Sequence, residues 1–500
     1  MAAIITDILK KQMVQNIFEE ATGTSNNYYI GIGKSSQWNA TEAVPTPTDT
    51  PKTLRDARTA IQSIKKVEGV SYVIPRHNWS SGTTYSAYDD DVTSVPTNSY
   101  YVITDENSVY ICLQQGRDGT GTAVASTVKP AVTDVTKPFK TADGYKWKFL
   151  YALSAAKASK FLSSNFMPVE KVLCDSAGQS AANGSSPGSL TATEIQQKQV
   201  DSNATPGQIV GISITNGGTG YSTGSPPAVT ILGDGDSCTA TAVVSGSTVV
   251  KIELDSSADS CMNMGHGYNF ASVSIAAPSS GTTATARAII GPDSGMGGDP
   301  RDELKATSLM FNIKPEGEVA NGTLSRKTFL IGQPVPTPTT NQNFRQVSLI
   351  RNPKYAQNSI NPDDDSASPP LFTAASGLFL QHLILTDSTE TNSFAIDKVI
   401  TGGTSGAKAI IDAVDATTGF HPRLIVHQDS ETTGFGRFQG GEALTGTGGG
   451  SGTLADSANG FGFKVGDVDK TSGELLYIEN RAPVDRGKDQ TEDIKVVITL

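Results

Sequence analysis

The stretch ADGYKWKFLYALS sets Trp147, Phe149 and Tyr151 on one side of an extended chain, because successive side chains of a strand point to opposite faces. Similar short apolar runs recur along the sequence, and turn-forming Gly, Pro, Asn or Asp punctuates them. A chain interrupted this often has little room for large helices. With 50 Gly, 25 Pro and only 7% aromatic residues in 500, the pattern selects a mainly β protein, α+β where a few helices intervene.

Two stretches keep helical spacing. Ile5, Ile8, Leu9, Met13, Ile17 and Phe18 predict one amphipathic helix, and TLRDARTAIQSIKKV predicts a second. Between them NNYYIGIGKSSQW reads as a strand ended by Gly33, followed by the Pro/Thr loop AVPTPTDTP. VSYVIPRHNW is a strand halted at Pro75, which has no N–H to give a ladder. YYVITDENSVYICLQQG reads as a hairpin around DENS.

From 176 to about 205 the text turns polar and small-residue-rich, too poor in apolar groups for a core of its own. An internal repeat follows. GGTGYSTGSPPAVTI with CTATAVV is echoed by MGHGYNFASVSI with TATARAII, so two short β units are expected to stack as one module. Strand patterning resumes in ATSLMFNIKPEG and NFRQVSLIRNPK, and a second Gly-rich island covers 388–462. The expected organisation is a β-sandwich core domain formed by 1–175, 299–387 and 463–500. Small β modules interrupt it at 176–298 and 388–462.

The net charge of −11 offers no basic footprint for phosphates, so nucleic acid is not an expected partner. No run of about 18 apolar residues predicts membrane insertion, and the N-terminus lacks signal-peptide features, so synthesis and retention in the cytosol are expected. Cys112, Cys174, Cys238 and Cys261 lie far apart without metal-ligand spacing and are expected to be buried thiols.

Candidate chemistry is sparse. Asp89 to Asp91 and Asp363 to Asp365 offer oxygens to a cation or a glycosidase, yet runs of Asp are ordinarily solvated; Asp234 and Asp236 resemble half a calcium loop without its closing ligands. His77, His266, His382, His421 and His427 fall in no metal motif, and His421 and His427, in a Gly-rich region, are read as lacking an acidic or Cys partner. The glycine strings lack the Lys and helix of a phosphate loop, and no Ser sits in GxSxG. The aromatic runs could stack sugars, but their alternation favours a core. Glu479, Asn480, Arg481 and Asp485 could be catalytic, but a hairpin closed by ion pairs is the better reading. No catalytic residue, cofactor or metal is assigned.

Five spaced motifs, taken in order, resemble the gene-product-eight type baseplate wedge subunits of T-even-like contractile-tailed bacteriophages. The resemblance rests on YYIGIGKSSQW with Trp38, on VIPRHNW with Pro75, Arg76 and Trp79, and on ADGYKWKFLY with Gly144 and Trp147. It continues in NFRQVSLIRNPK with Phe344, Arg345, Asn352 and Pro353, and in GELLYIENRAPV, where Glu479, Asn480, Arg481 and Pro483 fall, before DQTEDIKVVITL with Gln490. The match spans most of 1–175, 300–385 and 470–500. It implies a non-enzymatic virion protein of the tail baseplate, assembled in the host cytoplasm, that forms a homodimer and joins neighbouring wedge subunits. The two inserted modules depart from the family pattern. Alternatives are a carbohydrate-binding tail adhesin and, less favoured, a tail-associated glycosidase.

Overall fold

The computed structural model describes residues 6–172, 190–254, 262–314, 344–356, 369–386, 394–415, 422–430, 432–456, 462–484 and 493–500. The chain is mainly β, with five helices among the described residues. It divides into two compact units, Met1–Glu19 with Ser71–Met310 and Val497–Leu500, and Glu20–Val70 with Phe311–Val496.

In the first unit, strands Tyr101–Ile103, Ser108–Gln114, Lys146–Ala152 and Phe139–Lys140 form an antiparallel sheet in that order. The expected hairpin turns as DENS predicts, with Asn107 in the left-handed region at φ 59°. Trp147 is fully buried and stacks on Tyr145 at 5.6 Å, with Tyr85 edge-on at 5.7 Å. Each such ring withdraws roughly 150–250 Å² from water, so this aromatic layer holds the sheet together. Val200 of helix Ala192–Ser202 closes the same cluster. That helix lies inside the polar stretch, where no core was expected, and its signal was the capping box of Thr191 and Glu194.

The repeats meet each other. Strands Ala228–Gly233 and Ala271–Ile275 pair antiparallel with Val229 opposite Ile275 and Ile231 opposite Val273. Ala240–Ser245 and Thr248–Leu254 extend that sheet, while the second small-residue strand, Thr285–Ile290, pairs with Ile209–Asn216. The Gly-x-Gly-Tyr motif has a geometric cause. Gly220 turns at φ +85° so close to Ser280 that a Cβ would lie 1.7 Å from its carbonyl oxygen. The tyrosine beside it, Tyr221, is buried, accepts the Ala284 N–H at 2.8 Å and donates to the Ala276 carbonyl.

In the second unit, strands Ser376–Leu378, Ile61–Lys66, Tyr28–Gly33, Phe344–Arg351 and Glu474–Val484 form a five-stranded sheet in that order. The second predicted helix is cut short. Pro51–Ala60 is helical, but the chain then enters the strand Ile61–Lys66, because Lys34 N–H donates to the Ala60 carbonyl and the strand Tyr28–Gly33 draws the segment into its ladder. Tertiary pairing overrides local periodicity there. The last strand also corrects the hairpin reading, since ENRAPV is the second half of Glu474–Val484, which pairs with Phe344–Arg351 and not with Ile494–Thr499. Asp485 and Gln490 lie outside the described residues.

The second Gly-rich island contributes most strands of a seven-stranded sheet, whose core gathers Leu383, Ile400, Ile411, Leu424, Val426 and Leu444. The turn after Val399–Gly402 is held by the buried Glu442 carboxylate, which accepts N–H groups of Thr404, Ser405 and Gln439. The N-terminal helix, Asp7–Thr22, buries Val14 and sets Phe18 on Tyr72 at 4.8 Å, whereas Ile8, Leu9 and Met13 of the predicted apolar stripe are exposed.

Candidate functional site

Four motif positions distant in sequence converge in the second unit. Arg345, on the strand Phe344–Arg351, is 2% exposed; its Nε and Nη2 donate to the two Glu42 carboxylate oxygens at 3.0 and 2.8 Å, and its Nη1 donates to the Ser35 carbonyl at 2.5 Å. Trp38 Nε1 donates to the Arg481 carbonyl at 2.9 Å. Asn480 Nδ2 donates to the Pro45 carbonyl at 2.9 Å, and Asn480 Oδ1 accepts from Gln346 at 2.8 Å. The Pro/Thr loop is thus clasped to two neighbouring strands of the sheet. The planar guanidinium matches the carboxylate fork, a geometry lysine lacks, and the Glu42 carboxyl is held below its usual range chiefly by that hydrogen bond.

Of the remaining motif residues of this unit, Phe344, Asn352 and Pro353 also join separate stretches of backbone. Phe344 is buried opposite Val484. Asn352, at φ 52°, accepts the Asn27 N–H at 2.8 Å and donates to Asn26 at 2.6 Å, while the Pro353 carbonyl accepts from Phe372. Glu479 pairs with Arg481 at 3.3 Å, and Pro483 is exposed.

Beside the clasp lies a cavity of about 320 Å³ between the Pro/Thr loop, the helix Pro51–Ala60 and residues 427–430. Gln62 on its floor donates to Ser35 Oγ at 2.8 Å and, at 3.4 Å, to Asp412. Asp412 in turn meets His427 Nδ1 at 2.7 Å in a buried pair. Burial pushes the imidazole toward its neutral form, but the charge and hydrogen bond of Asp412 outweigh it and raise its pKa. Lys470, half-buried, is pushed down to about 8 by desolvation, with Asp412 opposing. The reading of His427 as lacking an acidic companion is corrected: Asp412 arrives from the adjacent strand Lys408–Asp415, where a bulge shifts the register. The available signal was the lone acid in the apolar run AIIDAV.

In the first unit, the Pro75 carbonyl accepts from Tyr101 Oη at 2.8 Å, and Arg76 donates to Asn78 and to the Ser163 carbonyl. Trp79 Nε1 reaches Ser126 Oγ at 3.2 Å. Gly144 occupies φ +87° in the turn before Trp147, and the neighbouring Asp143 carboxylate gathers the Thr127 and Val128 N–H groups. Sequence reasoning missed Glu303, which is fully buried. Its Oε1 accepts N–H groups of Gly297 at 2.6 Å and Asp299 at 3.3 Å, and burial raises its pKa to about 8 against those bonds and the charge of Lys148.

The other candidates are scattered. Asp89 and Asp90 pair with Arg287, and Asp234 caps Asn269 and Phe270. Asp236 faces the exposed His266 at 3.2 Å, and His77 packs edge-on against Tyr101. Asp363 to Asp365, His421, Cys174 and Cys261 lie outside the described residues. Cys112 is buried and Cys238 half-buried. Among the described residues no group of three or more His, Cys, Asp or Glu is arranged to hold a metal ion, and no helix is long and apolar enough to cross a membrane. No protein-family model and no curated protein matches the chain.

Proposed function

We propose that this protein is a structural subunit of a contractile-tail baseplate wedge in a bacteriophage virion, acting by binding neighbouring subunits and not as an enzyme. It dimerises, is assembled in the host cytoplasm, has a β-sandwich core carrying two small Gly-rich β modules, and engages neither nucleic acid nor a membrane. The observation that carries the reading is the use to which the motif residues are put. Trp38, Arg345, Asn480 and Arg481 spend their donors and acceptors fastening a loop to a sheet, which is what a rigid joint requires and a reaction centre does not. The exposed stripe of Ile8, Leu9 and Met13 on the N-terminal helix adds apolar surface of the kind that assembly covers. Light scattering on the purified chain, alone and mixed with the other wedge proteins of the same phage, tests the proposal. A dimer that enters a larger stoichiometric complex supports it, and a monomer indifferent to those partners sinks it.

A further inference from the structure

The last strand, Ile494–Thr499, lies beside Ser308–Ile313 in a four-stranded sheet. Ser308 Oγ meets Thr499 Oγ1 at 2.8 Å at one end of this pair and Asn312 meets Asp493 at the other, so the two strands run antiparallel in a fixed register. Asn312, Asp493 and Lys495 all belong to the second compact unit. Asp493 and Lys495, two residues apart on an extended chain, project from the same face.

One carboxylate serves both neighbours. Asp493 Oδ1 accepts from the Asn312 side-chain amide, and Asp493 Oδ2 accepts from Lys495 Nζ at 2.7 Å. Asn312 is fully buried, and the bond from its Nδ2 fixes which arm of the amide is which. Its Oδ1 has no hydrogen-bond partner among the described residues. A buried asparagine is ordinarily satisfied at both ends, so a purely structural role serves this one poorly. The Lys495 and Asp493 side chains keep 19% and 30% of their surface exposed, which leaves the site closed around the amide and open at the amine.

These are the parts an amine needs to displace an amide nitrogen: a nucleophile, a carbonyl carbon shielded from water, and one acid–base group touching both the attacking and the leaving nitrogen. We propose that Lys495 and Asn312 join in an intramolecular isopeptide bond, with Asp493 as the proton carrier. The carboxylate takes a proton from the Lys495 ammonium, and the free amine attacks Asn312 Cγ. The Nζ–Cγ bond forms; Asp493 gives its proton to Nδ2 as the Cγ–Nδ2 bond breaks, and receives the second proton of Nζ. Ammonia departs, taking up that proton as ammonium and returning the carboxylate to its charged form. No oxidant, cofactor or activating group enters the balance. The product staples the last strand to its neighbour, which then cannot be peeled away without breaking a covalent bond. The linkage forms whatever the protein assembles with, and so stands apart from the wedge reading.

The test is the intact mass of the purified full chain under denaturing conditions, with allowance for removal of Met1. The wild type should weigh one ammonia less than its sequence, and fragmentation of a protease digest should yield a branched peptide joining Asn312 to Lys495. Lys495→Arg keeps a cation beside Asp493 but no nucleophile, and should return the mass to its full value. Asp493→Asn removes the proton carrier and should leave most of the chain unlinked. The wild-type mass decides even where a variant fails to fold. A wild-type mass equal to that of the sequence overturns the proposal, as does a loss of ammonia that persists in Lys495→Arg and so belongs to another asparagine. Complete linkage in Asp493→Asn overturns the part given to the carboxylate.

Discussion

Two buried carboxylates illustrate how residue-scale environments give opposite pH dependences. Glu303 keeps its proton in the fold up to about pH 8, while an unfolded chain loses it near the ordinary value of 4.5. Between those values the unfolded state binds fewer protons, so this residue's contribution makes stability fall as pH rises through the window and level off above it. Glu303→Gln can retain the acceptor toward Gly297 and Asp299 without the ionisable group. The difference in unfolding midpoint between variant and wild type should therefore grow in the variant's favour from pH 5 to pH 8; a constant difference would contradict the assignment. For Glu442, burial works to raise the pKa, but hydrogen bonds from Ser405, Gln439 and Thr404 outweigh it and lower it. Its contribution is present above the ordinary carboxylate value and is lost as pH falls through the depressed one. Glu442→Ala should cost about 2 kcal/mol at neutral pH in urea titrations and much less in acid.

At the scale of elements, the clasp and the caps set the magnitudes. Arg345→Ala removes the guanidinium between Glu42 and Ser35 and should cost about 2–3 kcal/mol, and Arg345→Lys should recover only part of it, because a point charge cannot hold both carboxylate oxygens in the fork geometry. Equal stability of the Lys variant and wild type would show that the fork is not what holds the loop. Thr191→Ala deletes the cap of the helix Ala192–Ser202 and should cost about 1 kcal/mol. Elements were legible where one signal ruled. The hairpin at DENS and the paired repeats could be read from alternation and turn residues alone. The segment TLRDARTAIQSIKKV could not, because its apolar residues satisfy a helix until a neighbouring strand captures Ile61 onward. ENRAPV misled for a related reason: an edge strand with a half-exposed face carries charge that reads as the ion-paired end of a hairpin. The pairing of Asp412 with His427 depends on a bulge between strands, and Glu303 is buried although PRDE spells an exposed turn, so neither is encoded in local spacing.

For the whole molecule, the wedge proposal predicts a solution mass of twice the 52.3 kDa chain. A self-complementary twofold contact would make the same patch serve both copies. With a net charge of −11, like-charge repulsion between copies should make that association stronger as salt is raised, a trend sedimentation measured across ionic strength would reveal. Association that weakens with salt would place opposite charges, rather than apolar surface, at the contact.

The strands Ile209–Asn216 and Thr285–Ile290 lie side by side, with Ile209 opposite Ile290, so the chain leaves and returns at neighbouring points. A segment anchored that way can be replaced between two adjacent points of the chain, and the replacement has to supply anew the contact that Val250 makes with Gly121. The adjacent ends mark where a passenger sequence could be grafted by design.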